Sequence, residues 1–117
     1  MRITEVSYDG PPPVEGYGPG FFRIAGVVRQ GPVALLPSGV ADWAGLPDIA
    51  PFLAEAGRFD VLFLGMGADI RPLEPALRAM LEGAGLGVEI MATPPACRTY
   101  NVLLSEGRRI AAGLIPV

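Results

Sequence analysis

The feature that most constrains this chain is a change of hydrophobic period near its middle. Asp60 opens Val61-Leu62-Phe63-Leu64, an uninterrupted apolar run of the kind buried on both faces of a sheet. A helical stripe follows, Leu73, Leu77, Met80, Leu81 and Ala84, closed by Gly85 and Gly87, and then a second strand-like run, Leu86 to Met91. Strand, helix and strand over about 30 residues make a βαβ unit, whose strands are parallel and whose crossover is almost always right-handed. The chain is therefore an α/β protein, and with 117 residues it has room for one domain, 1–117, and one core.

The flanking segments fill out that frame. Ile3 to Tyr8 alternates weakly, as a strand does, and Asp9 to Gly20 is too rich in Pro and Gly for regular structure. The runs Phe21–Val28 and Pro32–Pro37, separated by Arg29-Gln30-Gly31, read as the two arms of a hairpin, with loop from Pro37 to Gly45 around the single Trp43. Ile49, Phe52, Leu53 and Ala56 lie on one helical face, with Asp48 placed as cap, Pro51 in the first turn and Gly57 at the end. Glu74 and Arg78 stand at i, i+4 on the wet side of the next helix. A third helix over about Pro95 to Glu106 leads through Gly107 to a last strand. The architecture expected is a layered mixed sheet with helices packed on it, fronted by an N-terminal β-hairpin region.

Composition excludes several kinds of function. Half the residues are hydrophobic, which rules out disorder, and a mean hydropathy of +0.41 is high for a chain whose longest apolar run falls far short of a membrane span. Apolar residues beyond the capacity of so small a core are expected outside as a patch, which implies a homo-oligomer or a bound partner, with peripheral membrane association still open. All nine basic residues are arginine, set against twelve carboxylates, and the longest basic run is Arg108-Arg109, so nucleic acid is not the partner. One cysteine and no signal core or presequence read as a cytoplasmic protein of bacterial type, complete as given.

Ligand sites in open α/β sheets lie beyond the carboxyl ends of the parallel strands. Two loops qualify: Gly65-Met66-Gly67 with Ala68 and Asp69, and Met91 to Arg98. They end neighbouring strands and so are expected to share a crevice. Gly65-Met66-Gly67 is no dinucleotide fingerprint, because Ile70 stands where a third glycine is needed, and it lacks the Lys-Ser/Thr of a P-loop. Thr93 as N-cap and Pro94 at the first helical position bring Cys97, Arg98 and Thr99 to a helix opening, where an anion is favoured. A thiol there is either reactive or a small buried hydrophobe; with no His or Lys to activate it, the second reading is preferred.

That absence decides the larger question. The chain has no imidazole base and no amine nucleophile, its carboxylates are scattered with no dyad spacing, and no cluster offers a metal site. No catalysis, metal or cofactor is expected. Arg23, beside Phe21-Phe22, and the run Arg98-Thr99-Tyr100-Asn101 either tie the hairpin region to the third helix or meet a partner.

Several segments together, Tyr17–Ile24, the Trp43 loop, Asp60–Gly67 and Val88–Pro116, resemble the family of the NADH:ubiquinone oxidoreductase (respiratory complex I) assembly factor 3. The combination of VEIMAT, ACRTYNVLL and EGRR carries the resemblance. It implies a three-layer α/β fold whose mixed central sheet ends in a strand antiparallel to the rest. It also implies contact with complex I subunits or a second assembly factor, as for the mitochondrial relatives, with bacterial members uncharacterised. It supplies no active-site residues. The reading is a non-catalytic accessory protein acting by protein contact. The alternative is a small-molecule or anion-binding domain using the two strand-end loops, and a weaker third is a thiol enzyme built on Cys97.

Overall fold

A computed structural model describes residues 11–117; the strand expected at Ile3–Tyr8 lies outside them. Among the described residues, eight strands form two sheets. The small one is antiparallel, in the order β1 (Val14–Gly18), β2 (Phe21–Ile24), β3 (Val27–Gln30). The large one has the order β5-β4-β8-β6-β7, with β4 Val33–Leu36, β5 Gly39–Asp42, β6 Val61–Met66, β7 Gly87–Met91 and β8 Ile110–Ile115. Helices α1 (Ala50–Ala54), α2 (Pro75–Gly83) and α3 (Thr93–Ser105) pack on it.

The βαβ unit is present as expected, with β6 and β7 parallel and α2 between them. β8 then inserts on the other side of β6 and is parallel to it, while β4 runs antiparallel to β8. The reversed strand of the large sheet is therefore β4, and the antiparallel last strand implied by the resemblance is not found. After α3 the chain has already been carried back over the sheet, so β8 enters from the same end as β6.

Alternation along the central strands separates two cores. Leu62, Leu64 and Met66 of β6, Ala111 of β8, and Ala34 and Leu36 of β4 face Phe52 of α1 and Leu81 of α2. Phe63, Ile110, Ala112, Leu114, Val33 and Leu35 face Ala96, Cys97 and Tyr100 of α3 together with Val14, Phe22 and Ile24 of the small sheet. This gives three layers, with the expected hairpin region sharing the α3 side. The apolar runs of β4 and β6 follow from burial on both faces.

Several local expectations are corrected. Val14–Gly18, expected as loop, is a strand because β2 supplies main-chain partners and Asn101 holds Val14 from both sides, its Oδ1 accepting from Val14 N–H at 2.9 Å and its Nδ2 donating to Val14 C=O at 2.8 Å. The hairpin turn is not at Arg29-Gln30-Gly31 but at Ala25-Gly26, inside the first apolar run; Val33–Leu36 instead crosses to the large sheet, where both of its faces are buried. Gly39–Asp42, also expected as loop, returns from β4 as an edge strand. Asp48 does accept a hydrogen bond from Ala50 N–H at 3.1 Å, but Ile49 holds the N-cap position, and α1 stops at Ala54 before a 3-10 turn at Ala56–Arg58. Arg78 pairs with Glu82 at 3.4 Å and not with Glu74, which is the N-cap of α2.

Ala25 has φ 52° and Gly26 φ 77°, the two left-handed residues of a type I′ turn. A left-handed alanine costs roughly 1–2 kcal/mol, and asparagine tolerates that region better. Ala25→Asn is expected to stabilise the domain by about 0.5–1 kcal/mol. Urea unfolding checks it, and a loss of stability would contradict the turn assignment.

Candidate functional site

Because β6, β7 and β8 are parallel, their carboxyl ends lie along one rim of the sheet. Thr93 gathers that rim. It is fully buried, its hydroxyl accepts a hydrogen bond from Gly67 N–H at 2.8 Å and donates to the Ile115 carbonyl at 2.6 Å, and its own N–H donates to the Gly67 carbonyl at 2.8 Å. Thr93 therefore does not cap α3, as expected from sequence; Ala92 takes that position, and the hydroxyl is spent on holding β6 and β8 together. Gly65 is required by the same clasp: a Cβ there would lie 2.8 Å from Thr93 Oγ1 and 3.1 Å from Thr93 Cα. The first glycine of Gly65-Met66-Gly67 thus serves close packing inside the protein.

Outside the clasp is an open hollow of about 370 Å³, bounded by Met66, Gly67 and Ala68 at the end of β6, Ile115 and Pro116 at the end of β8, and Leu46 from the loop before α1. Its size is at the lower end of ligand-sized cavities. Of the residues singled out from sequence, Met66 and Gly67 line it. Thr93 does not line it, Gly65 is covered by Thr93, and the expected sharing of the crevice by the Met91–Arg98 loop is not found. Arg98 and Thr99 border a different depression of about 240 Å³ on the outer side of α3, with Val102 and Leu103. The lining contributed by Leu46, Ile115 and Pro116 has no signature in the sequence, because apolar side chains beside a proline carry no local mark of a cavity.

Cys97 is buried, 3% exposed, between α3 and the sheet. Burial pushes its thiol from 9.0 up to about 11, against a smaller opposing pull from the Arg98 guanidinium. The thiol is thus neutral at physiological pH. Native Cys97 is expected to react with iodoacetamide at least ~100-fold more slowly than in the unfolded chain, and comparable rates would contradict its burial. The linkage has a definite sign: the folded state holds this proton more tightly, so the stability is full below about pH 9 and is lost as pH rises towards about 11. Burial raises Tyr100 as well, and its hydroxyl donates to the Pro12 carbonyl at 2.8 Å.

The polar tie between the N-terminal region and α3 is therefore made by Tyr100 and Asn101. Arg23 is exposed on β2 and, among the described residues, joins no hydrogen bond or ion pair; Arg98 is likewise exposed. Among the described residues the exposed large apolar ones are Tyr17, Val27, Val28, Ile70, Met80 and Val102, distributed over β1, β3, the β6–α2 loop, α2 and α3, with Ile70 the most exposed at 65%. Among the described residues no group of three metal-ligating side chains occurs, and no helix is long and apolar enough to cross a membrane.

A mixed five-stranded sheet, α1 and α2 on one face, α3 with a small antiparallel sheet on the other, and a hollow where three parallel strands end define a small three-layer α/β domain with a strand-end rim. The chain belongs to the family described as protein of unknown function (DUF498/DUF598), which matches residues 14–115. It is 48% identical over 117 residues to an uncharacterized protein of Rhodobacter capsulatus, covering all of this chain and 94% of that one. It is 34% identical over 110 residues to the NADH dehydrogenase (ubiquinone) 1 alpha subcomplex assembly factor 3 of Danio rerio, covering 88% of this chain but only 63% of that longer protein. A crystal structure described as an outer membrane protein from Bartonella henselae superposes with a TM-score of 0.85 at 35% identity, over 93% of this chain and 98% of that one. The resemblance to the complex I assembly factors holds across the domain.

Proposed function

We propose that this protein is a non-catalytic accessory factor that holds a protein partner while a larger complex is assembled, with respiratory complex I subunits or their assembly factors as the partner class. The observation that carries this reading is the 34% identity over 110 residues with a protein named as a complex I assembly factor. Side-chain chemistry supports it. The sequence has no histidine and no lysine, and its one thiol is buried with a raised pKa, so imidazole and amine chemistry are absent, the thiol is not activated, and acid–base work would fall to scattered carboxylates. We place its action in the bacterial cytoplasm, at the face where complex subunits are presented.

Affinity capture with the full tagged chain from a bacterial lysate, quantified against an unrelated bait, tests the reading. Enrichment of complex I subunits or their assembly factors is the expected result, and repeated recovery of none would sink it. One observation favours a second reading, a small-molecule or anion ligand: the hollow at the ends of β6 and β8 lies where open α/β sheets bind ligands. A thermal-shift screen with phosphates, nucleotides and carboxylates that moves nothing retires that alternative.

A further inference from the structure

The strand-end hollow does not stand alone. Beside it is a second of about 390 Å³, bounded by Ile70, Leu73, Arg78 and Ile90, and Arg71 and Pro72 border both. Sharing those two residues, they make a trough that runs from the end of β8, past the end of β6, to β7, one of the two edge strands of the large sheet. The second hollow is apolar apart from its arginines, and Ile70 beside it is the most exposed large apolar residue among those described. The loop that carries Ile70 and Arg71 has spare main-chain donors: among the described residues, the amides of Ala68, Asp69, Ile70, Arg71 and Leu73 reach no protein acceptor.

Charge identifies what fits there. The whole chain is acidic, net −3, yet the charged side chains bordering the two hollows are Arg71 and Arg78, and no carboxylate borders either. Arg78 is drawn to Glu82 on the next turn of α2, 3.4 Å away. Arg71 is exposed at the junction of the hollows and has no ion-pair partner among the described residues. Asp69 sits in the same loop but borders neither hollow.

We propose that this trough seats an extended partner segment in which aliphatic side chains are flanked by carboxylates. The aliphatic groups fill the hollows on either side of Pro72, a carboxylate pairs with Arg71, and the segment's main-chain carbonyls accept from the free amides of the loop. An exposed arginine beside an apolar depression is a common anchor of such contacts. The proposal deepens the partner-holding reading above and rests on it for its biological setting, but not for its chemistry.

Fluorescence anisotropy on the full chain tests it with three synthetic peptides: one with two isoleucines flanked by aspartates, its lysine-flanked counterpart, and an alanine-cored aspartate peptide. The aspartate-flanked isoleucine peptide is expected to bind at least ~tenfold more tightly than the other two, and Arg71→Glu to invert the order of the aspartate- and lysine-flanked pair. Ile70→Asp is expected to weaken the preferred peptide by ~tenfold or more. Both positions are exposed, so unchanged thermal melts verify the fold. Binding indifferent to flanking charge overturns the proposal, as does an order that survives Arg71→Glu, or inorganic phosphate displacing the peptide as effectively as excess unlabelled peptide. Capture of complex I subunits that persists in Arg71→Glu and Ile70→Asp rejects the trough but leaves the assembly reading standing. Peptide preference without any such capture rejects the assembly reading and leaves the trough.

Discussion

Phe52→Ala is expected to destabilise the domain by about 4 kcal/mol, a large share of the roughly 5–15 kcal/mol that holds a domain of this kind together. Phe52 is the buried residue of α1, a helix of one and a half turns that has little stability of its own. Its ring meets Trp43 edge-on, with centroids 5.3 Å apart and planes at 78°, and Trp43 is held in turn by its Nε1–H donating to the Asp48 carbonyl at 2.7 Å. Beneath both rings lies Gly113 of β8, where a Cβ would come within 2.7 Å of Phe52 Cζ, 3.0 Å of Trp43 Cζ3 and 3.1 Å of Leu64 Cδ2. The phenyl group therefore fills a space created by the absence of a side chain, and truncation opens a void that a rigid sheet cannot close. The same geometry predicts a coupling. Gly113→Ala alone overpacks the site, at a cost of roughly 1–3 kcal/mol, but in the Phe52→Ala background its methyl enters the vacated space, so the double variant should be less destabilised than the sum. Urea unfolding of the four proteins completes the cycle. Strict additivity, or a Phe52→Ala cost below about 1 kcal/mol, would show that this aromatic pair does not pack on β8 as described.

Thr93→Val is expected to cost about 2–4 kcal/mol even though the two side chains have nearly the same shape. Valine leaves no cavity, so packing loss is not the cause. It removes the hydroxyl that accepts from Gly67 N–H and donates to the Ile115 carbonyl, leaving a donor and an acceptor without their partner at the rim of the sheet. Gly67 is buried and takes the larger penalty; Ile115 is half-buried, and water can replace part of what its carbonyl loses. Thr93→Ser keeps the hydroxyl and gives up one methyl, about 0.8 kcal/mol by area. Serine should therefore be the milder change despite being the larger alteration in volume. Amide exchange at Gly67 gives a local readout: its protection should fall in Thr93→Val and persist in Thr93→Ser. Equal stabilities for the two variants would mean that the clasp contributes nothing. Since β6 and β8 carry opposite sides of the strand-end hollow, the valine variant should also weaken any ligand held there.

Much of the large sheet was legible in the residue pattern, and the reason is the strength of its periodicity. Asp60 to Leu64, the Leu73–Ala84 stripe and Leu86–Met91 each carry a local signal that survives in the folded protein as β6, α2 and β7. The errors lie where tertiary partners outweigh local preference. Val14–Gly18 contains two glycines and follows three prolines, and it is a strand only because β2 lies on one side and Asn101, 87 residues away in sequence, clamps its first residue. Local pattern pairs Val33–Leu36 with its neighbour in sequence as a hairpin; burial on both faces carries it to the large sheet instead. The site shows the same division. Gly65, Gly67 and Thr93 end adjacent strands of one βαβ unit, where the pattern predicts a crevice shared by two loops; Gly67 and Thr93 instead meet inside the protein, and no residue of Met91–Arg98 lines the hollow. What they do there, a buried clasp and no helix cap, depends on Ile115, which the chain reaches only after α3.

Residue order alone settles the α/β class, the parallel β6–β7 pair and the absence of imidazole and amine side chains, since each follows from local period or from which side chains exist at all. The place of β8 between β4 and β6, the aromatic pair seated over Gly113 and the joining of two hollows at Arg71 belong to the folded molecule. Each needs segments far apart in the chain to meet, and the free energy that selects such meetings is burial summed over the whole core, a quantity that no short stretch of sequence records.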